Sequence, residues 1–225
     1  MKIEVIADTD EYVVVNKPAG MVVEPNSVYK DGTLVDWIKD NYEIELERAG
    51  LVHRLDKDVS GVMVIAKNEE SFNNLKSQFQ ERKVNKEYVA LVHKKMVHDE
   101  GEVTLPIARS KSGKFVAKSD EGGSGRSAKT IYEVKKKYVN YTLLNVRILT
   151  GRTHQIRVHL SSIGHSVVGD KLYETHNIRV KKKGIDLGRL WLYSKTLGFE
   201  NLAHDKVEYT VEVPKELEEF LSKLK

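Results

Sequence analysis

The chain contains no cysteine among its 225 residues. That one absence removes disulfide frameworks, thiolate nucleophiles, iron–sulfur clusters and cysteine-liganded zinc. Long apolar runs are missing too: Val62 to Ala66 is as long as they become, far below the roughly 18 residues of a membrane-spanning helix. The opening MKIEVIADTD offers no apolar stretch for secretion, so a cytoplasmic protein is expected. The four prolines are scattered at 18, 25, 106 and 214, and no linker, internal repeat or heptad seam divides the chain. A single domain over residues 1–225 is therefore expected. Without an apolar seam, a monomer with no obligate protein partner and no membrane attachment is the matching expectation.

What is present is charge, unevenly spread. Residues 1–50 hold 5 Lys and Arg against 11 Asp and Glu, whereas residues 101–200 hold 19 against 8. A concentrated basic span suits a polyanionic partner such as nucleic acid, although a solvated lysine-rich face gives the same count.

β-branched residues place short strands at Ile3 to Ile6 and Tyr12 to Asn16, the second closed by the turn Lys17-Pro18-Ala19-Gly20. Val62 to Ala66, apolar throughout, reads as a strand buried on both faces and central in a sheet. Asn68 caps a helix with Phe72, Leu75 and Phe79 on one side. Further strands follow at Tyr88 to Val92, Thr130 to Val134, Tyr141 to Leu149, Leu190 to Tyr193 and Val207 to Val213. Pro214 opens a terminal amphipathic helix. Ala108 to Lys129, with little to bury, reads as a mobile basic hairpin or loop. A short helix runs from Thr153, its candidate N-cap, to Gly164. The fold class is α+β: a mostly antiparallel mixed sheet flanked by helices.

Two segments concentrate chemistry. HRLDKDVSG, His53 to Gly61, gathers five ionisable groups directly before the most apolar strand. If its backbone is extended, Arg54 and Asp56 project together, with Asp58 able to join them. A carboxylate beside a guanidinium stays ionised and suits a nucleophile, but an Arg–Asp pair that merely holds a loop reads equally well. TGRTHQIRVHL, Thr150 to Leu160, passes from a strand through Gly151 into a helix. Arg152 precedes amides able to receive an anion, and Arg157 lies between Ile156 and Val158, where partial burial calls for a carboxylate. Asp56 is a candidate for it. Lys86 and Tyr88 share a strand face, where the ring stacks on a base or simply belongs to the core. His154 and His159 lie roughly 140° apart around a helix, and neither metal-ligand spacing nor a nucleotide-binding loop occurs.

HRLDKDVSG followed by GVMVIAK, then NKEYVALV, then GRTHQIRVHLSSIGHSVVGDKLY, resembles the RluA family of RNA pseudouridine synthases in order and spacing. VVVNKPAGMVV resembles that family's first strand and turn, so the likeness runs from about Tyr12 to Pro214. It implies the pseudouridine synthase catalytic fold and isomerisation of uridines in structured RNA, ribosomal or transfer, with no cofactor and no metal. It implies Asp56 as the essential aspartate, Tyr88 as the tyrosine packed on the target base and Arg157 as the basic partner of the aspartate. Arg54 matches the arginine that fills the place of the flipped uridine, and His53, Lys86 and Arg152 join it as substrate-binding candidates. Val59, Ser166, Tyr193 and Ser194 depart from the family's usual residues without touching the catalytic set. An N-terminal accessory RNA-binding domain is not expected, which leaves RNA recognition to the basic span, notably Arg109 to Lys118 and Lys181 to Lys183. Two other functions remain open from the residues alone: a glycoside or nucleoside hydrolase using Asp56 and Asp58 as paired carboxylates, and a non-catalytic RNA-binding module.

Overall fold

The computed structural model describes residues 2–118, 125–174 and 187–225. Two compact units form, Met1–Lys86 with Ser194–Glu212, and Glu87–Tyr193 with Val213–Lys225. In chain order, β1 (Glu4–Asp8), β2 (Tyr12–Lys17), α1 (Leu34–Asn41), β3 (Ser60–Ala66) and α2 (Glu69–Gln80) open the chain. β4 (Asn85–His93), β5 (Glu100–Val103), β6 (Ile107–Arg109), β7 (Phe115–Ala117), β8 (Thr130–Lys137) and β9 (Tyr141–Ile148) follow. Then come α3 (Gln155–Ser162), β10 (Leu192–Glu200), β11 (Lys206–Thr210) and α4 (Lys215–Ser222). The unit boundaries fall inside β4 and β10.

In the first unit the strands run in the order β1, β2, β3, β10, with β11 on β10. β3 is buried at every position, as its unbroken apolar sequence predicts. Antiparallel pairing runs from Tyr12 opposite Ala66 to Lys17 opposite Gly61. Val13, Val14 and Val15 are fully buried, and these β-branched side chains fill the pleated surface beside β3. Gly61 has φ 122°, and a Cβ there would stand 2.0 Å from the Ser194 carbonyl oxygen. Only glycine lets β3 begin this close to β10. Asn68 caps α2 by accepting from the Ser71 amide at 2.9 Å, while Phe72 and Leu75 face inward. α1 is an element the sequence reading passed over. Thr33 and Asp36 form a reciprocal capping box, and Leu34, Val35 and Ile38 supply its buried face.

In the second unit β4, β9, β8 and β5 lie side by side in that order, antiparallel throughout. The Trp191 indole donates to the Leu217 carbonyl at 3.1 Å and ties α4 down. Of the mobile basic hairpin or loop expected around Ala108 to Lys129, the described residues form a hairpin. β6 and β7 pair as a small antiparallel ribbon, and Phe115 and Ala117 pack on a cluster of Ile107, Ala128, Val158 and Tyr173. Those few apolar residues suffice because α3 and the segment after it supply the other half of the cluster. Lys181 to Lys183 lie outside the described residues.

Candidate active site

The segment before β3 is held from both sides of its backbone. Leu55 and Val59 are buried, Asp56 is half-buried, and Arg54 and Asp58 are exposed. The Val59 amide donates to the Asp56 carbonyl at 3.1 Å, which closes a turn on residues 56–59. The extended backbone that would put Asp56 and Asp58 two apart on one strand face is therefore not adopted, and the paired-carboxylate geometry loses its basis.

Beneath this turn lies Lys17, with no exposed surface. Its Nζ donates to the carbonyls of Pro18 at 3.0 Å, Met21 at 2.8 Å and Lys57 at 3.2 Å. The Gly20 amide also donates to the Lys57 carbonyl, at 2.8 Å. The turn after β2 thus grips the residue that follows Asp56. Sequence reasoning read Lys17 only as part of a turn. The available signal was a lysine at the end of a strand whose first four positions, Tyr12 to Val15, are buried, where its head must find acceptors inside.

His53 proves to be a fixture of β3. Its Nε2 accepts from the Val64 amide at 3.1 Å, and its ring stacks on Phe79 with centroids 4.6 Å apart. A ring nitrogen that accepts is unprotonated, and burial, with the charges of Lys86 and Arg48 adding to it, pushes the imidazole pKa down to about 3. Lys86 is buried with its ammonium 5.8 Å from the centroid of Phe79, and burial lowers its pKa as well. His53 and Lys86 thus meet around one phenylalanine.

In the second unit the GRTHQIRVH segment is organised by Gln155. Its Oε1 accepts from the Thr150 hydroxyl at 2.7 Å and the Arg152 amide at 3.0 Å. Its Nε2 donates to the Lys129 carbonyl and to Thr130 Oγ1, both at 3.0 Å. His159 Nε2 lies 2.8 Å from the Leu105 carbonyl, which only accepts, so that nitrogen carries the proton; Nδ1 takes the Thr130 hydroxyl at 2.9 Å. Thr153 is not the N-cap of α3. His154 holds that position in the left-handed region, φ 57°, without a side-chain cap, and Gln155 folds back to accept the Arg152 amide. Arg152 is half-buried and its Nε donates to the Ser127 carbonyl at 3.1 Å.

Arg157 is buried, as its flanking residues predict. The carboxylate seen to hold it is Asp170. Nε donates to Oδ2 at 2.7 Å and Nη2 to Oδ1 at 3.0 Å, a two-pronged clasp. Asp170 is fully buried, and its Oδ1 also accepts the amides of Leu172 at 3.0 Å and Tyr173 at 3.1 Å. The Tyr173 ring closes the arrangement, its centroid 5.1 Å from the guanidinium carbon. Asp170, 13 residues along the same segment, is a partner of Arg157 that sequence reasoning did not name. Tyr88 is buried in β4 opposite Val146. His53, Arg54, Asp56 and Lys86 belong to the first unit; Tyr88, Arg152 and Arg157 belong to the second.

A profile of the RNA pseudouridylate synthase family matches residues 11–162. The chain belongs to that family. Over 194 residues it is 46% identical to an uncharacterized RNA pseudouridine synthase of Aquifex aeolicus, covering 82% of this chain and 60% of the relative's length. Over 232 residues it is 35% identical to ribosomal large subunit pseudouridine synthase D of Buchnera aphidicola, covering 99% and 73% respectively. Among solved structures, human RNA pseudouridylate synthase domain containing 4 superposes with TM-score 0.78 at 25% identity, over 98% of this chain and 93% of that one. The RluA-family resemblance and the pseudouridine synthase α+β fold read from the motifs both hold.

Two measurements test the geometry. The folded His53 ring has a pKa of about 3 against an ordinary 6.5, so the unfolded chain takes up an extra proton between these values and stability falls as pH falls through that window. His53→Asn is expected to flatten the urea-unfolding stability profile there, by up to about 1.4 kcal/mol per pH unit; an unchanged slope contradicts the buried neutral ring. Asp170→Asn removes the carboxylate charge from the clasp on buried Arg157 and is expected to cost about 3 kcal/mol in the same unfolding assay. Wild-type stability in that variant would show that the clasp does not hold Arg157.

Proposed function

We propose that the protein is an RNA pseudouridine synthase that converts uridines in structured RNA to pseudouridine, with Asp56 as its catalytic carboxylate. The observation that carries this reading is an aspartate in the family's HRLD motif, half-buried on a turn whose backbone is fixed by Lys17. The reaction breaks the bond between the sugar carbon and N1 of uracil, turns the base, and joins the same sugar carbon to C5. The C5 hydrogen leaves as a proton and N1 takes one up, so the product is an isomer and no oxidant or second substrate enters. Asp56 serves as the nucleophile that carries this exchange. Arg157, pre-set by Asp170, supplies the positive charge that keeps the aspartate ionised, and Tyr88 packs on the uracil.

The target base must first leave its stack, which costs a few kcal/mol and is easiest in loops. Arg54, exposed beside Asp56, fills the vacated space, while Arg152 and the basic β6–β7 ribbon meet phosphates. Lys86 lines the same reaction site. His53 contributes by fixing the segment that carries Arg54 and Asp56. The name of the Buchnera aphidicola relative favours large-subunit ribosomal RNA as the substrate, and a cytoplasmic enzyme is the reading that goes with it. Both units serve one catalytic domain.

RNA tritiated at C5 of uridine gives the decisive assay. The wild type releases tritium with the base retained, and Asp56→Asn loses turnover by more than about 10³-fold, while RNA affinity stays within about threefold because phosphate contacts dominate it. Free uracil as product would make the protein a hydrolase. Unmodified RNA bound by the wild type would make it a binding module.

A further inference from the structure

Beside the Asp56 turn stands an aromatic side chain for which the fold has no use. The segment after Val23 leaves the core and returns at Thr33, with residues 25–32 exposed. Its ends are fixed. The Leu34 and Val35 amides donate to the Val22 and Val23 carbonyls, and Arg48 holds Glu24 through two contacts of 2.7 Å. At its tip Asn26 Oδ1 accepts the amides of Val28 and Tyr29, and the Asn26 amide donates to the Tyr29 carbonyl at 2.8 Å. Val28 is 75% exposed and Tyr29 40%. An apolar pair presented on an ordered loop is a surface built to be covered.

Lys57 steers the ring. Its Nζ donates to the Tyr29 hydroxyl at 2.6 Å and lies 4.3 Å from the ring centroid. The ammonium therefore sits toward the hydroxyl end of a ring that is in part solvent-exposed. The backbone of Lys57 is itself gripped by Lys17 and Gly20, and its neighbour in the chain is Asp56. An ammonium has three donors, and the tyrosine takes one. Exposed Lys30 and Arg54 add positive charge to the same unit.

We propose that Tyr29 and Lys57 form a subsite for an unpaired nucleotide flanking the target uridine, its base stacked on the Tyr29 ring and its phosphate held by Lys57. This rests on the proposed RNA substrate and deepens it: recognition by stacking is tolerant of sequence, so the subsite selects an unstacked neighbour rather than a particular base. Charge complementarity identifies the occupant. A partner with an apolar surface alone engages only the ring, whereas a single-stranded nucleotide supplies both a π-face for Tyr29 and an anion for the Lys57 ammonium beside it.

The test uses the full chain and a short fluorescein-labelled oligouridylate, with binding followed by anisotropy and turnover followed by tritium release. Tyr29→Ala is expected to weaken oligouridylate binding about tenfold, within the range for loss of one stacked base. Tyr29→Phe, which keeps the ring, stays within about twofold of the wild type. Lys57→Gln lowers the slope of log affinity against log salt by about 0.7, one phosphate on a single strand. Wild-type affinity in Tyr29→Ala, or equal losses in the Ala and Phe variants, overturns the subsite, as does a wild type that does not bind the oligomer. If the wild type releases tritium while Tyr29→Ala binds normally, the subsite fails and the isomerase reading stands; if binding depends on Tyr29 but no tritium is released, the reverse holds.

Discussion

Burying an ammonium is costly, and three carbonyls, those of Pro18, Met21 and Lys57, accept from the head of Lys17. The penalty of desolvating the charge is offset because three dipoles converge on it, and convergence requires the backbone at 18, 21 and 57 to stay where it is. The lysine is thus a constraint as much as a contact. It joins the end of β2 to the turn that displays Asp56, at the point where Lys17 stands opposite Gly61 in the strand ladder. Gly61 in turn permits the close approach of Ser194, so the turn is fixed at its base by one buried cation and one missing side chain.

The second unit meets the same problem with the opposite chemistry. Arg157 is planar and forked, and a planar carboxylate matches it, so Asp170 rather than a set of carbonyls satisfies the charge. Asp170 is held by two amides of its own segment, and Gln155 and His159 lock α3 to the strands through Thr130. A guanidinium with its orientation settled before substrate arrives costs little to reorganise during reaction, which is what charge stabilisation by a rigid site requires. The family motifs are long because most of their residues build this rigidity. Lys17, His53, Gln155 and His159 hold backbone; the chemistry is assigned to far fewer side chains.

Much of the architecture was legible because hydrophobic pattern alone decides it. An unbroken apolar β3, a helix capped by Asn68 and a terminal helix after Pro214 all stand where the pattern puts them. The misreadings share a cause in contacts made between segments. β6 and β7, expected as a mobile hairpin or loop, form a hairpin whose Phe115 packs on Val158 and Tyr173, contacts that the local sequence does not show. Arg157 demanded a carboxylate, and Asp170, which holds it, went unread because burial does not name its partners. Thr153 was the better capping residue by type, yet the chain enters α3 through His154 in the left-handed region, a backbone choice that side-chain type does not announce. α1 was a genuine oversight, since Thr33 and Asp36 with Leu34, Val35 and Ile38 carry its full signature.

Amide hydrogen exchange in Lys17→Met tests the anchoring of the Asp56 turn most directly. The Gly20 and Val59 amides donate to the Lys57 and Asp56 carbonyls, so they report on the turn itself. With the ammonium removed, both are expected to exchange at least about tenfold faster, a loss of about 1.4 kcal/mol of local protection, while the Val64 amide bonded to His53 changes far less. Unaltered exchange at Gly20 and Val59 would mean that the turn stands without Lys17, and the account of how this chain presents its aspartate would be wrong.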